Sequence, residues 1–128
     1  MGRPAAKQGD KVQALDTHTI VSGGASAPVP GHPFNGLIDG ALSSNVTIER
    51  RAAATVDSTA TNTPRHLPIG GTFATPPSNK GRIVSGSGTV RINGKAAARH
   101  GDTAETCNDP KDLPVGVVSA ISKVVIGG

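Results

Sequence analysis

Arg3-Pro-Ala-Ala-Lys-Gln-Gly-Asp10 returns near the other end of the chain as Lys95-Ala-Ala-Ala-Arg-His-Gly-Asp102. A worn copy stands between them, Arg51-Ala-Ala-Ala-Thr-Val-Asp57. Each copy runs from a basic residue through small residues to an acid, and in the outer two the acid follows Gly9 or Gly101. Repetition means one supersecondary unit used several times, so it constrains the whole architecture. Working outward, Val90-Arg-Ile-Asn-Gly94 leads into the last copy and Val46-Thr-Ile-Glu-Arg50 into the middle one. A matching piece, Val124-Val-Ile-Gly-Gly128, ends the sequence, and Val118 to Gly128 aligns without a gap on Val84 to Gly94. The last Gly-Gly has no basic-Ala-Ala segment after it, and the first copy has no strand before it. The pattern closes if the C-terminus returns to the N-terminus. Three strand-turn-loop units then surround a pseudo-threefold axis, one of them split between the chain ends, which lie close together. An open row of repeats is the alternative, but three copies are few for a solenoid and neither end reads as a cap.

Composition points to one all-β, turn-dense domain over residues 1–128, built of three hairpin-and-loop repeats with little helix. Seventeen Gly and ten Pro interrupt nearly every short apolar run, and no window holds a helical period for long. Expected strands are Ile20 to Ser22, Asn45 to Ile48, Gly81 to Ser85, Thr89 to Ile92, Gly116 to Ser119 and Val124 to Ile126. Pro4 to Ala6 and its relatives fit extended edge segments better than a helical turn. There is no Trp or Tyr, and Phe34 and Phe73 are the two aromatics. A domain so short of large side chains needs a metal, disulfides or a partner to hold it. Cys107 is the single cysteine, which excludes an intramolecular disulfide.

Residues 1–8 carry Arg3 and Lys7 but no apolar run, so no signal peptide is expected, and nothing is apolar enough to span a membrane. Synthesis and assembly in the cytoplasm follow, with export only by a dedicated machine. The net charge of +4 could suggest nucleic acid. The basic residues are spread singly through the repeats, however, and aromatic stacking platforms are lacking, so no nucleic-acid partner is expected.

Chemistry-capable residues are few. His18 follows Asp10 by eight positions, His66 follows Asp57 by nine, and Cys107 follows Asp102 by five. Each unit thus places one metal-competent side chain in the loop after its repeat segment, and three such loops would converge at a threefold apex. His32, in Gly31-His-Pro-Phe-Asn-Gly36, offers a fourth ligand from the long first loop. Three imidazoles and a thiolate suit tetrahedral zinc with no open position, a structural rather than catalytic arrangement. The plain reading is that lone loop histidines are solvated and a lone cysteine is a small buried hydrophobe. Spacing alone leaves both readings open, and compact zinc signatures such as C-x-x-C are missing. His100 lies inside the repeat segment, where the first copy has Gln8, and reads as a surface residue.

Pro4-Ala-Ala-Lys-Gln-Gly-Asp10, Asp16-Thr-His18 and Ile92-Asn-Gly-Lys-Ala-Ala-Ala-Arg-His-Gly-Asp102 resemble the PAAR-repeat proteins, over essentially the full chain. The family's Pro-Ala-Ala-Arg motif is changed here to Pro-Ala-Ala-Lys and Ala-Ala-Ala-Arg. The resemblance implies a cone that caps the trimeric, VgrG-like β-helical spike of a contractile injection system such as type VI secretion or a phage-tail-like particle. It implies one structural Zn2+ per chain, held by His18, His66, Cys107 and a fourth ligand. His32 is the expected fourth and His100 its substitute. In the middle copy the Gly-Asp is lost, and Asn62 stands about where a Cys is expected.

One copy per spike trimer would dock through a base built by Val46, Ile48, Val90, Ile92, Val124 and Ile126. Continuing the spike's β-structure would cover edge strands otherwise prone to aggregate. The target membrane is met only by puncture, and any effector is expected to be a separate protein. Competing readings are a free-standing zinc-binding scaffold or adaptor and a small zinc hydrolase. The hydrolase would need an open metal position, and a closed four-ligand site leaves water no place to be activated.

Overall fold

The structure is a computed structural model that describes residues 2–128; Met1 lies outside the described residues. The described residues form thirteen strands and no helix. The repeat segments meet at an axis. Ala6 N–H donates to Ala98 C=O (3.0 Å), Ala98 N–H to Ala54 C=O (3.1 Å) and Ala54 N–H to Ala6 C=O (3.0 Å), a ring of three backbone hydrogen bonds closed on itself. Three segments crossing so near one axis leave room for little beyond a methyl group, which is why the motif carries consecutive alanines. Successive side chains of an extended segment point to opposite faces. Ala5, Ala53 and Ala97 accordingly face one apolar cluster and Ala6, Ala54 and Ala98 the other, all fully buried.

Below the ring lie three two-residue hairpins. β1 (Arg3–Pro4) pairs with β13 (Val125–Ile126), β4 (Thr47–Ile48) with β5 (Arg51–Ala52), and β9 (Arg91–Ile92) with β10 (Lys95–Ala96). Arg3 opposite Ile126 occupies the register that Arg51 and Lys95 hold opposite Ile48 and Ile92. The split unit is therefore completed by the two ends of the chain. Ile48, Ile92 and Ile126 are buried together with Val46 packed beside them. Val90 and Val124 precede their strands and stand 36% and 42% exposed, so they are not core residues.

Above the ring, six antiparallel strands close into a barrel: β2 (Lys11–Ser22), β3 (Ala25–Gly40), β6 (Thr59–Asn62), β8 (Lys80–Ile83), β11 (Thr103–Thr106) and β12 (Leu113–Ser119), with β12 returning to β2. Closure leaves the barrel wall without a free edge. Val12, Ile38, Ala60, Ile83, Ala104 and Val118 fill it, with Phe34 buried among them. Two inward glycines clear space for Phe34: a Cβ on Gly36 would stand 2.6 Å from its ring and one on Gly81 3.2 Å from it. One large ring thus supplies burial that the composition otherwise lacks. Beyond the barrel only β2, β3 and β7 (Thr72–Phe73, paired with Ile20 and Val21) continue, so the molecule narrows.

Several expectations change. The long first loop is instead the outer half of the β2–β3 hairpin, turned by Gly23 and Gly24, both at positive φ. Pro28, Pro30 and Pro33 hid it, yet there β3 is an edge strand, where prolines are tolerated. The gapless alignment of the third unit is one residue out at its start, because Val118, not Val117, shares the bonding of Ile83.

The acid of the middle copy is replaced by Ser58, not by Asp57. Ser58 Oγ accepts from Thr55 N–H (3.0 Å) as Asp10 Oδ2 accepts from Lys7 N–H (3.0 Å) and Asp102 Oδ2 from Arg99 N–H (2.7 Å). Asp57 takes the glycine position at φ 79°. Its exposed carboxylate bonds to Lys95 and Arg82, which hold its pKa below the ordinary value.

Ser58 Oγ also donates to Ala41 C=O (2.9 Å), which a carboxylate cannot do. Ser58→Asp, which would restore the acid of the outer copies, should therefore destabilise the chain by about 1–3 kcal/mol. Urea unfolding measures this, and an unchanged or raised midpoint would refute the Ser58 assignment.

Candidate metal centre

Just beyond Phe34 the barrel interior turns polar. Along β2 the inward positions run Val12, Asp16, His18 and Ile20, and along β3 Ile38, Gly36, Phe34 and His32. A register shift between Asp16 and His18 marks a bulge, a device that re-aims side chains. His18 and His32 therefore come from paired strands rather than from loops, with Asp16 opposite His32 in the register. His66 comes from the segment after β6. Its N–H donates to Asn79 Oδ1 (2.8 Å), which also accepts from Asn62 Nδ2 (3.1 Å). Cys107 follows directly on β11.

All four expected ligands are buried: His18, His32, His66 and Cys107 are 1%, 0%, 7% and 3% exposed. The rings of His18 and His66 have centroids 4.9 Å apart, and His32 lies 5.3 and 5.9 Å from them. Donor atoms within 4.8 Å of one another come from Asp16, His18, His66 and Cys107. Asp16 is the member that reasoning from the repeats did not assign. Its signal was Asp-x-His, since residues two apart on a strand share a face. His100 does not join the group. It is exposed in the turn of the last copy, its Nδ1 accepting from Ala120 N–H (3.1 Å). Asn62 does not hold the place of a cysteine either. It ends β6 as Thr106 ends β11, and its Oδ1 accepts from Asn35 N–H (2.8 Å).

The electrostatics fit a cation. Burial pushes the Cys107 thiol up to about 11, with the neighbouring Asp16 charge adding to the shift. Burial, then repulsion from His66, lowers the pKa of His18 and keeps it a neutral donor. His18 Nδ1 stands 3.4 Å from Asp109 Oδ2, within ion-pair reach but off hydrogen-bond geometry, and Asp109 Oδ2 is itself fixed by Thr19 N–H (2.8 Å). A carboxylate behind one ring nitrogen leaves the other aimed inward, as in metal-bound histidines. Nδ1 of His32 is buried without any partner. Two imidazoles, a thiol and a carboxylate, drawn from distant parts of the chain and enclosed together, can hold a metal ion.

The family model described as the PAAR motif matches residues 29–108 and again residues 73–128. No curated protein and no solved structure matches the chain. The two overlapping matches follow the repeat, and together they take in the second and third axis segments with the strands that flank them. This chain, built on a threefold ring of alanines, belongs to the PAAR motif family.

Proposed function

We propose that the chain is the tip of a contractile injection spike, with its base seated on a trimeric, VgrG-like partner, one copy per trimer. The observation that carries this reading is the closed ring through Ala6, Ala54 and Ala98. It lets a single chain present three alike hairpins in rotation, and a threefold partner requires that match. PAAR proteins are structural spike tips rather than enzymes, and the taper from six strands to three suits a point driven through an envelope. Assembly would occur in the cytoplasm, followed by export at the tip of the particle. An effector, where one travels with it, would be a separate chain. Exposed apolar residues near the base, Ile121, Val124 and Val125, are 84%, 42% and 60% exposed and suit burial against the spike.

The metal reading is zinc, held by His18, His66 and Cys107 with a fourth donor. Its role would be to tie together β2, the segment carrying His66 and the end of β11. Structural zinc contributes on the order of 10 kcal/mol in small domains, enough to decide whether such segments are ordered. The protein's own task is to enclose the donors and to present a thiol that ionises only beside a cation.

Mixing purified chain with its cognate trimeric spike should give one chain per trimer by native mass spectrometry, and Val125→Lys should abolish that complex. No complex with the unaltered chain would leave a free-standing zinc scaffold as the better reading.

Cys107→Ala should leave the protein zinc-free, with faster amide exchange across residues 63–79 than in the loaded protein. A zinc-replete, equally protected variant would rule out Cys107 as a ligand.

Because burial pushes the Cys107 thiol up to about 11, zinc uptake at neutral pH must expel its proton. Zinc affinity should then rise about tenfold per pH unit from this group alone between pH 6 and 8. Chelator competition at several pH values measures it, and a flat profile would show that the thiol takes no part.

A further inference from the structure

We infer that the cleft between β3 and residues 63–69 docks a segment of a second protein, with an apolar side chain in the cleft and an adjacent carboxylate on Arg65. The site lies on the flank of the molecule, apart from the base that the spike reading uses. Its origin is a departure of the chain from the sheet. β6 follows β3 as far as Asn62, opposite Gly36. Thr63 N–H makes one further bond, to Asn35 C=O (3.2 Å), and the chain then leaves β3. It is tied back where Ile69 N–H donates to His32 Nε2 (3.3 Å). The bow between those two bonds leaves a cavity of about 320 Å³ against β3, at the lower end of ligand-pocket sizes.

Pro33, Pro64, Leu67 and Ile69 give the cavity apolar walls, and Leu67 and Ile69 stand 79% and 45% exposed. Two side chains on its lining keep unused polar capacity. Asn35 Oδ1 is buried and accepts no hydrogen bond, although the Asn35 peptide group is bonded to Asn62 and Thr63. A buried acceptor left unpaired is costly, and an incoming donor removes that cost. Arg65 is exposed and makes neither a hydrogen bond nor an ion pair among the described residues.

The apolar surface does not stop at the cavity. Pro33 pairs with Leu15, which is 68% exposed. A small molecule would fill the cavity and leave Leu15 bare, whereas a chain segment covers both, and contiguous exposed apolar surface marks association. Strand addition is blocked at the cleft. A proline paired with β2 sits where its missing N–H would face away from β2, so Pro33 offers no donor along that edge. Recognition therefore runs through an apolar anchor in the cavity, an N–H given to Asn35 Oδ1 and a carboxylate facing Arg65.

The probe is a phage-displayed library of random dodecapeptides panned on the full chain. Enriched peptides should join an apolar residue to an adjacent Asp or Glu. The synthetic consensus peptide should lose at least about tenfold in affinity on Arg65→Glu, which sets like charges together, and on Leu67→Asp. Arg91→Glu, the same charge change on β9 at the base, should leave its affinity unchanged. Replacing the peptide's acid with Lys should restore binding to Arg65→Glu, a rescue that a general loss of structure cannot produce. Thermal melting checks that each variant folds, and should Leu67→Asp fail, Arg65→Glu and its rescue decide. No enriched peptide, a consensus without an acid, or equal affinity for Arg65→Glu and the unaltered chain overturns the inference. Spike binding is read separately, so its failure with peptide binding intact would overturn the spike reading alone.

Discussion

Three backbone hydrogen bonds at the axis, linking Ala6, Ala54 and Ala98 head to tail, are the constraint from which the remaining architecture follows. Each of these segments donates to one neighbour and accepts from the other, so none can be withdrawn without leaving buried peptide groups unpaired in both. The side chains beside the ring must be small. A ring of methyl groups buries little surface by itself, so the apolar contribution has to come from above and below it. The three isoleucines of the base and the Phe34 layer of the barrel provide it. The same closure fixes where the chain goes next. After each ring segment a tight turn follows, capped by Asp10, Ser58 or Asp102, and a strand then rises into the barrel wall.

Inside, the molecule keeps its threefold pattern; outside, it does not. Arg82 bridges Asp57 and Glu105 at 2.7 Å each on one flank, while Leu15, Leu37, Val115 and Val117 stand exposed on another. Such exposed ion pairs contribute little to stability. The pattern follows from the physics of the two zones. Residues meeting at the axis constrain one another directly, whereas residues on separate faces never touch and can diverge. The buried cluster that could hold a metal ion belongs with the exterior in this respect. It draws Asp16 and His18 from the first unit, His66 from the second and Cys107 from the third, with no two contributions alike.

The repeats, the all-β class and the return of the C-terminus to the N-terminus were legible from Arg3–Asp10, Lys95–Asp102 and the matching Val-x-Ile runs. These are short-range signals, and they lie where the symmetry is strictest. The hairpin from Lys11 to Gly40 was not legible, because its prolines and glycines read as loop when nothing shows that the strand is an edge. The exchange of Ser58 for an acid was hidden since Asp57 supplies a carboxylate one position early. Burial of His18, His66 and Cys107 in one place could be anticipated from their matched positions. The place of Asp16 could not be anticipated in that way, because Thr106 and Asn108, far away in sequence, hold its carboxylate.

The pairing of Arg3 with Ile126 carries a consequence for how the protein is made. Arg3 and Pro4 find their hairpin partner only after Val125 and Ile126 have been synthesised, and β2 likewise waits for β12. Contacts of such long sequence separation pay their loop-closure entropy before they return anything, which slows folding. The β2–β3 hairpin can form early, but the barrel and the base are not completed until β12 and β13 have emerged. A polypeptide cut short of Val125 would lack one of the three basal hairpins, and with it the threefold rotation of the base.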